Sequence, residues 1–139
     1  MATFNKVNSF VEALSEKVHN LGSDVLKIAL TNSAPLASNT VLLDITQIAG
    51  ANGYTTGGTA VTITGSSQTS GTYKLVGSDV TFTATGGSMG TFRYAVIYND
   101  TATNDELIGW WDYGSAVTLA VGESFTLDFD PTNGILQLA

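Results

Sequence analysis

The sequence predicts a mainly β protein: an antiparallel β-sandwich of jelly-roll type with one N-terminal α-helix. Three observations carry this. Seven to nine short segments of alternating apolar and polar residues recur at roughly ten-residue spacing after residue 24. Turn signals separate them, among them Asn52-Gly53, Gly57-Gly58 and Asn133-Gly134. A helical period occupies only the start of the chain. The length, 139 residues, is most simply one domain, 1–139, and a chain of that size buries roughly 68% of its unfolded surface without metal or disulfide staples.

The helix is predicted over residues 4–21. Phe4, Val7, Phe10, Val11, Leu14, Val18 and Leu21 fall near a period of about 3.6 residues, while Glu12, Ser15, Glu16, Lys17 and Asn20 take the other side. Gly22 stands where a left-handed C-terminal cap belongs. An isolated helix of about 18 residues is marginal in water, so its stripe must pack on something.

A strand follows over Asp24–Thr31, with Leu26, Ile28 and Leu30 on one face and Lys27, Ala29 and Thr31 on the other. The segment around Pro35 reads as a loop, and Leu42–Ala49 as a short helix or turn. From Ala51 to Gly90, Thr, Ser and Gly dominate. Short strands run through this stretch at Val61–Thr64, Tyr73–Leu75 and Val80–Ala84, presenting neutral hydroxyl faces. Phe92–Tyr98 is a long strand, Glu106–Tyr113 another, and Val117–Val121, Ser124–Phe129 and Ile135–Leu138 complete the set. Successive antiparallel strands of this kind favour a jelly roll or a related sandwich.

Composition limits what the chain can do. Apolar residues make up 43% and charged residues only 12%, about half the usual quarter, so the chain is globular with a neutral polar surface. Such a surface is desolvated against a partner at less cost than a charged one. The net charge is −7, with Lys6, Lys17, Lys27, Lys74 and Arg93 as the cations. No basic patch is present, which predicts no binding to nucleic acid or to anionic membranes. There is no cysteine, hence no disulfide, thiolate nucleophile or cysteine zinc site. The N-terminal Met1–Lys6 segment has no apolar core of a signal peptide, and no window approaches the roughly 18 uninterrupted apolar residues of a membrane span. The expectation is a protein made and used without a cleaved secretion signal.

Candidate chemistry is sparse. His19 is the single histidine and has no companion ligand; near a helix C-terminus it suits the dipole. Asp128 and Asp130, Asp100 and Asp105, and Asp112 could offer oxygens to calcium, yet no twelve-residue EF-type loop or Asp-rich repeat exists. Asp130 instead suits the turn at Pro131 and Gly134. Paired carboxylates of glycosidase type are weighed on the same residues and find no further support. Thr56–Thr59 and Ala84–Ser88 are Gly-rich without the lysine or spacing of a phosphate loop. No cofactor is expected. Trp110 and Trp111 are adjacent in one strand, so one indole lies on each sheet face; one is core and the other faces solvent, a sugar, a covering element or a partner.

Several stretches together resemble a known class. They are Val25–Asn32 followed by Ser33–Ser38, then Asp44–Ile48, Gly53–Gly58, Phe92–Asn99 and Leu107–Gly114. The chain resembles small virion proteins of tailed bacteriophages, of the capsid cement or decoration kind with a jelly-roll-like fold. That resemblance implies a non-enzymatic structural protein on the outer surface of the capsid, made in the host cytoplasm. Its partners would be the major capsid protein, whose subunits it bridges, and itself as a dimer or trimer. No residue-level binding motif transfers. The candidate contact residues are the helix stripe (Phe4, Val7, Phe10, Val11, Leu14), the loop pair Pro35 and Leu36, and Trp110 with Trp111. The alternative is a carbohydrate-binding or fibre-type module of a phage particle. A hydrolase is disfavoured because no nucleophile–base pair is visible.

Overall fold

The computed structural model describes residues 2–139. Its elements in chain order are β1 (Phe4–Lys6), α1 (Phe10–Ser15), β2 (Leu26–Thr31), a 3₁₀ turn (Leu42–Asp44), β3 (Thr59–Ala60), β4 (Ile63–Thr69), β5 (Thr72–Gly77), β6 (Val80–Thr83), β7 (Phe92–Asn99), β8 (Leu107–Val117), β9 (Ser124–Leu127) and β10 (Leu136–Leu138). Strands account for 43% of the chain and helical residues for 7%, so the protein is mainly β with a single α-helix. Every strand pairing is antiparallel. Three sheets result: a five-stranded one in the order β1-β8-β7-β2-β3, a three-stranded one in the order β10-β5-β4, and the pair β6-β9.

The centre of the large sheet is β2-β7-β8. β7 is buried along its whole length apart from the half-buried Arg93, and β2 apart from Lys27. Strands covered on both faces need apolar residues at successive positions, which is what Ala95-Val96-Ile97 and Ile28-Ala29-Leu30 supply. β3 pairs with only two residues of β2. Beyond it the free edge of β2 is closed by the 45–54 connection: Ile48 N donates to Leu30 O at 3.0 Å, and Leu30 N to the Tyr54 hydroxyl at 3.2 Å. Buried residues of all three sheets join one hydrophobic cluster. Aromatic contacts gather about β8: Trp111 lies 5.2 Å from Phe4 of β1 and 5.7 Å from Phe129, and Phe125 of β9 lies 4.9 Å from Tyr113, joining β6-β9 to the large sheet. At a bulge in the β7–β8 ladder, Arg93 forks onto Asp112 through Nε at 2.7 Å and Nη2 at 3.0 Å.

The N-terminal segment departs from the expected 4–21 helix. Phe4–Lys6 is an edge strand on β8, and the helix is confined to Phe10–Ser15. The apolar stripe is real, but pairing with β8 satisfies the backbone of Phe4–Lys6 and packs Phe4 against Trp111 at a tilt, so tertiary burial outweighs helical spacing. The helix ends at Ser15, six residues before the expected end at Leu21. Lys17, not Gly22, takes the left-handed conformation, with φ 70°. Val18 N donates to Ala13 O at 2.8 Å and Lys17 N to Leu14 O at 3.4 Å, the paired bonds of a Schellman termination. Most remaining strands follow expectation with shifted ends, but β3 is additional and β4 spans Ile63–Thr69 where a strand is expected at Val61–Thr64. Val117–Val121 differs: only Val117 is strand, and Ala120–Glu123 is a turn closed by Glu123 N on Ala120 O at 2.9 Å.

β1 can lie against β8 because position 109 is glycine. A Cβ there would collide with Asn5 O and the Phe4 ring. Gly109→Ala should therefore detach β1 and lower stability by about 1–3 kcal/mol, read as a reduced urea midpoint. Lys17→Gly should raise stability by about 0.5–1 kcal/mol, since a side chain in left-handed backbone carries a steric penalty that glycine lacks; the same urea titration reads it.

Candidate functional site

The expected contact residues separate by burial. Val7, Phe10 and Trp111 are about 1% exposed and belong to the core, and Pro35 is buried. Phe4, Leu14 and Trp110 are half-buried against the cluster. Val11 and Leu36 are exposed. The Trp pair thus divides as the strand geometry requires, one indole inward and one partly covered on the other face.

Phe4, Phe10 and Val11 come together with a segment that the sequence did not mark as functional. They line a cavity of about 580 Å³ whose other wall is Asn133–Leu138, the approach to and body of β10. A second cavity of about 480 Å³ continues from Leu138 past Leu14, Lys17, His19 and Tyr73 to Ser66. The two share Leu138, so they form one apolar groove between the β1–α1 segment and the β10-β5-β4 sheet. Two facing edge strands, β1 and β10, bound it. Sequence reasoning identified Ile135–Leu138 as a strand; its position across from β1 is a property of the topology and has no local signal. Pro35 and Leu36 line neither cavity.

Behind the groove lies a buried polar hub. Asn99, at the end of β7, is fully buried. Its Oδ1 accepts from Thr101 N at 3.0 Å and Ala102 N at 3.2 Å, which fixes the amide orientation. Its Nδ2 donates to Asp24 Oδ2 at 2.7 Å and to His19 Nδ1 at 3.0 Å. His19 Nδ1 must then be the unprotonated nitrogen, and the ring proton sits on Nε2, which finds no acceptor among the described residues. Burial holds His19 below its ordinary pKa, against the opposing pull of Glu106 and Asp24. The imidazole is a neutral structural acceptor packed 5.5 Å from Phe10.

The acidic residues are likewise engaged in structure. Asp130 Oδ1 accepts from Thr132 N at 2.7 Å and Asn133 N at 3.0 Å, shaping the turn before β10; these bonds hold its carboxyl below the usual range. Asp112 is held low by the Arg93 fork. Asp44 accepts from Thr40 N at 2.8 Å and Val41 N at 3.2 Å and is also lowered. Among the described residues no three His, Cys, Asp or Glu side chains gather as a metal set. On the exposed side of β6-β9, hydroxyls pair across the ladder, Thr81 with Thr126 at 2.9 Å and Thr83 with Ser124 at 2.7 Å. That row is the structural form of the Thr- and Ser-rich stretch. Comparison of the chain with family models, curated proteins and solved structures finds no match.

The hub yields a pH dependence. Since folded His19 titrates below its ordinary 6.5, the unfolded chain takes up the proton first as pH falls. The stability tied to neutral His19 is present above pH 6.5 and declines below it. Asp44, Asp112 and Asp130 act in the same direction but only near and below 3.8, and Asp105, raised by burial, acts in the opposite sense. The urea midpoint should therefore drop between about pH 7.5 and about pH 5.5. His19→Asn, which keeps an acceptor for Asn99, should flatten that slope.

Proposed function

We propose that the chain is a non-enzymatic structural virion protein, a capsid cement or decoration protein of a tailed bacteriophage. It binds major capsid subunits at the outer surface of the head, bridges them, and stabilises the shell. In this reading the three sheets pack as a jelly-roll-like sandwich, and function comes from buried contact area. The observation that carries it is how the polar and apolar groups are used. The one histidine and the carboxylates of Asp44, Asp112 and Asp130 are committed to turns, caps and an ion pair. The features left open are an apolar groove and rows of paired hydroxyls, which a protein partner can cover without stranding charge.

The test is binding to phage heads assembled from the major capsid protein without this chain. Saturable binding at fixed stoichiometry, with a raised disruption temperature of the shell, is the expected result. Shells that neither bind the chain nor gain heat resistance would reject the proposal. A change in tryptophan fluorescence with a glycan panel, without shell binding, would favour the carbohydrate-binding module.

A further inference from the structure

The groove and one exposed turn are complementary in apolar character and charge. The chain has 12 acidic and five basic residues, yet no carboxylate lines either half of the groove, while Lys6 and Lys17 do. Among the described residues, Lys27 and Arg93 are in ion pairs, and Lys74 donates to Thr132 O. Lys6 and Lys17 have neither kind of partner. Lys17 is held in left-handed backbone where glycine would be less strained. A strained position that keeps a cation is explained if the charge is used.

Leu43 is the counterpart. It is 94% exposed, the most exposed large apolar side chain among the described residues. It sits on the 3₁₀ turn, whose backbone is pinned by Asp44 on Thr40 and Val41 and by Leu42 N on Asp105 O at 3.0 Å. Presentation of the side chain therefore loses little further entropy on binding. Asp44 is its chain neighbour, and Asp100 and Asp105 line the same shallow depression. Lys27 is the single cation there and is bound to Asp100 at 3.0 Å.

We infer that the groove receives the Leu42–Asp44 turn of a second copy of this chain, Leu43 entering beside Val11 and Leu138 while Asp44 and Asp105 face Lys6 and Lys17. The two surfaces are separate patches, although Thr40, which leads into the turn, accepts from Leu107 N at 2.9 Å along the edge of β8 that β1 also lines. The groove borders β1, and the depression around Leu43 is lined by Thr56 and Gly57, just ahead of β3. Each copy thus offers one groove and one turn, and the contact joins two or more copies. This takes from the proposed function only the expectation of self-association, and it specifies the surfaces.

The experiment is mass measurement in solution by light scattering across protein concentration and salt. The wild-type chain should form species of two or more copies that weaken as salt rises. Leu43→Asp and, separately, Val11→Glu should each be monomeric with an unchanged melting temperature, a loss of at least about tenfold in self-affinity. Lys17→Gly should be more stable yet less associated. Mixing the Leu43→Asp and Val11→Glu chains restores one intact turn and one intact groove, so the mixture should yield a one-to-one pair and nothing larger. A wild-type chain that stays monomeric at every concentration, assemblies that survive Leu43→Asp, or a mixture that forms no pair would overturn the inference. Shell binding is read separately: Leu43→Asp chains that still saturate shells leave the capsid proposal standing, and self-assembling chains that ignore shells leave this one standing.

Discussion

The buried side chain of Asn99 is the constraint on which the rest of the N-terminal half depends. An amide in an apolar core is tolerated only when its donors and acceptors are all used, and here each is. Two of its bonds turn the chain after β7, and the other two reach back to His19 and Asp24. Asp24 in turn accepts from Asn20 N at 2.8 Å, so the irregular stretch between α1 and β2 is held by one side chain some 75 residues away in sequence. Asp100 N on Val25 O at 2.9 Å repeats the attachment through the backbone. Together these bonds fix the direction in which residues 16–25, which form no helix or strand, carry the chain from α1 to β2.

The groove is a consequence of that anchoring. α1 is too short to be stable alone. It is held from one side by the Asn99 hub through His19 and Phe10, and from the other by β1 lying over Gly109. With both ends tied, Val11 and Leu14 face β10 across a gap that the chain itself does not fill. Among the described residues the one buried side-chain polar atom left unmatched, His19 Nε2, lies in the same hub. An unmatched donor costs on the order of 1–3 kcal/mol, and here it accompanies the arrangement that holds the groove open.

Where a strand has one covered face or two, the sequence is readable. β2, β7 and β8 carry dense β-branched and aromatic residues, and their positions follow from pattern to within a few residues. β6 and β9 alternate Val80, Phe82 and Phe125, Leu127 with threonine and serine, and read equally well. β4 does not, because Gly65–Thr69 has little apolar content on either face and therefore no period to detect. The N-terminal stripe misleads for the opposite reason. Phe4, Val7 and Phe10 are all packed inward, but by three different local structures, and spacing alone does not distinguish a helix from a strand, a link and a helix. Ser9, just before Phe10, is the one local cue to the later start. The groove combines β1, which was misassigned, with β10, which was found but could not be placed, so its outline was not legible. Its residues Phe4, Phe10, Val11 and Leu14 were.

The large sheet ends in strands of three and two residues, β1 and β3. A neighbouring molecule adding a strand to either edge would gain only one or two backbone hydrogen bonds, too few to template an extended ladder. Runaway cross-β stacking is thereby suppressed by geometry, with no need for charged gatekeepers along those edges. That protection is specific to the large sheet: β4, seven mostly exposed and uncharged residues at the edge of the three-stranded sheet, is the one long ladder on which a neighbouring strand can pair among the described edges of that sheet.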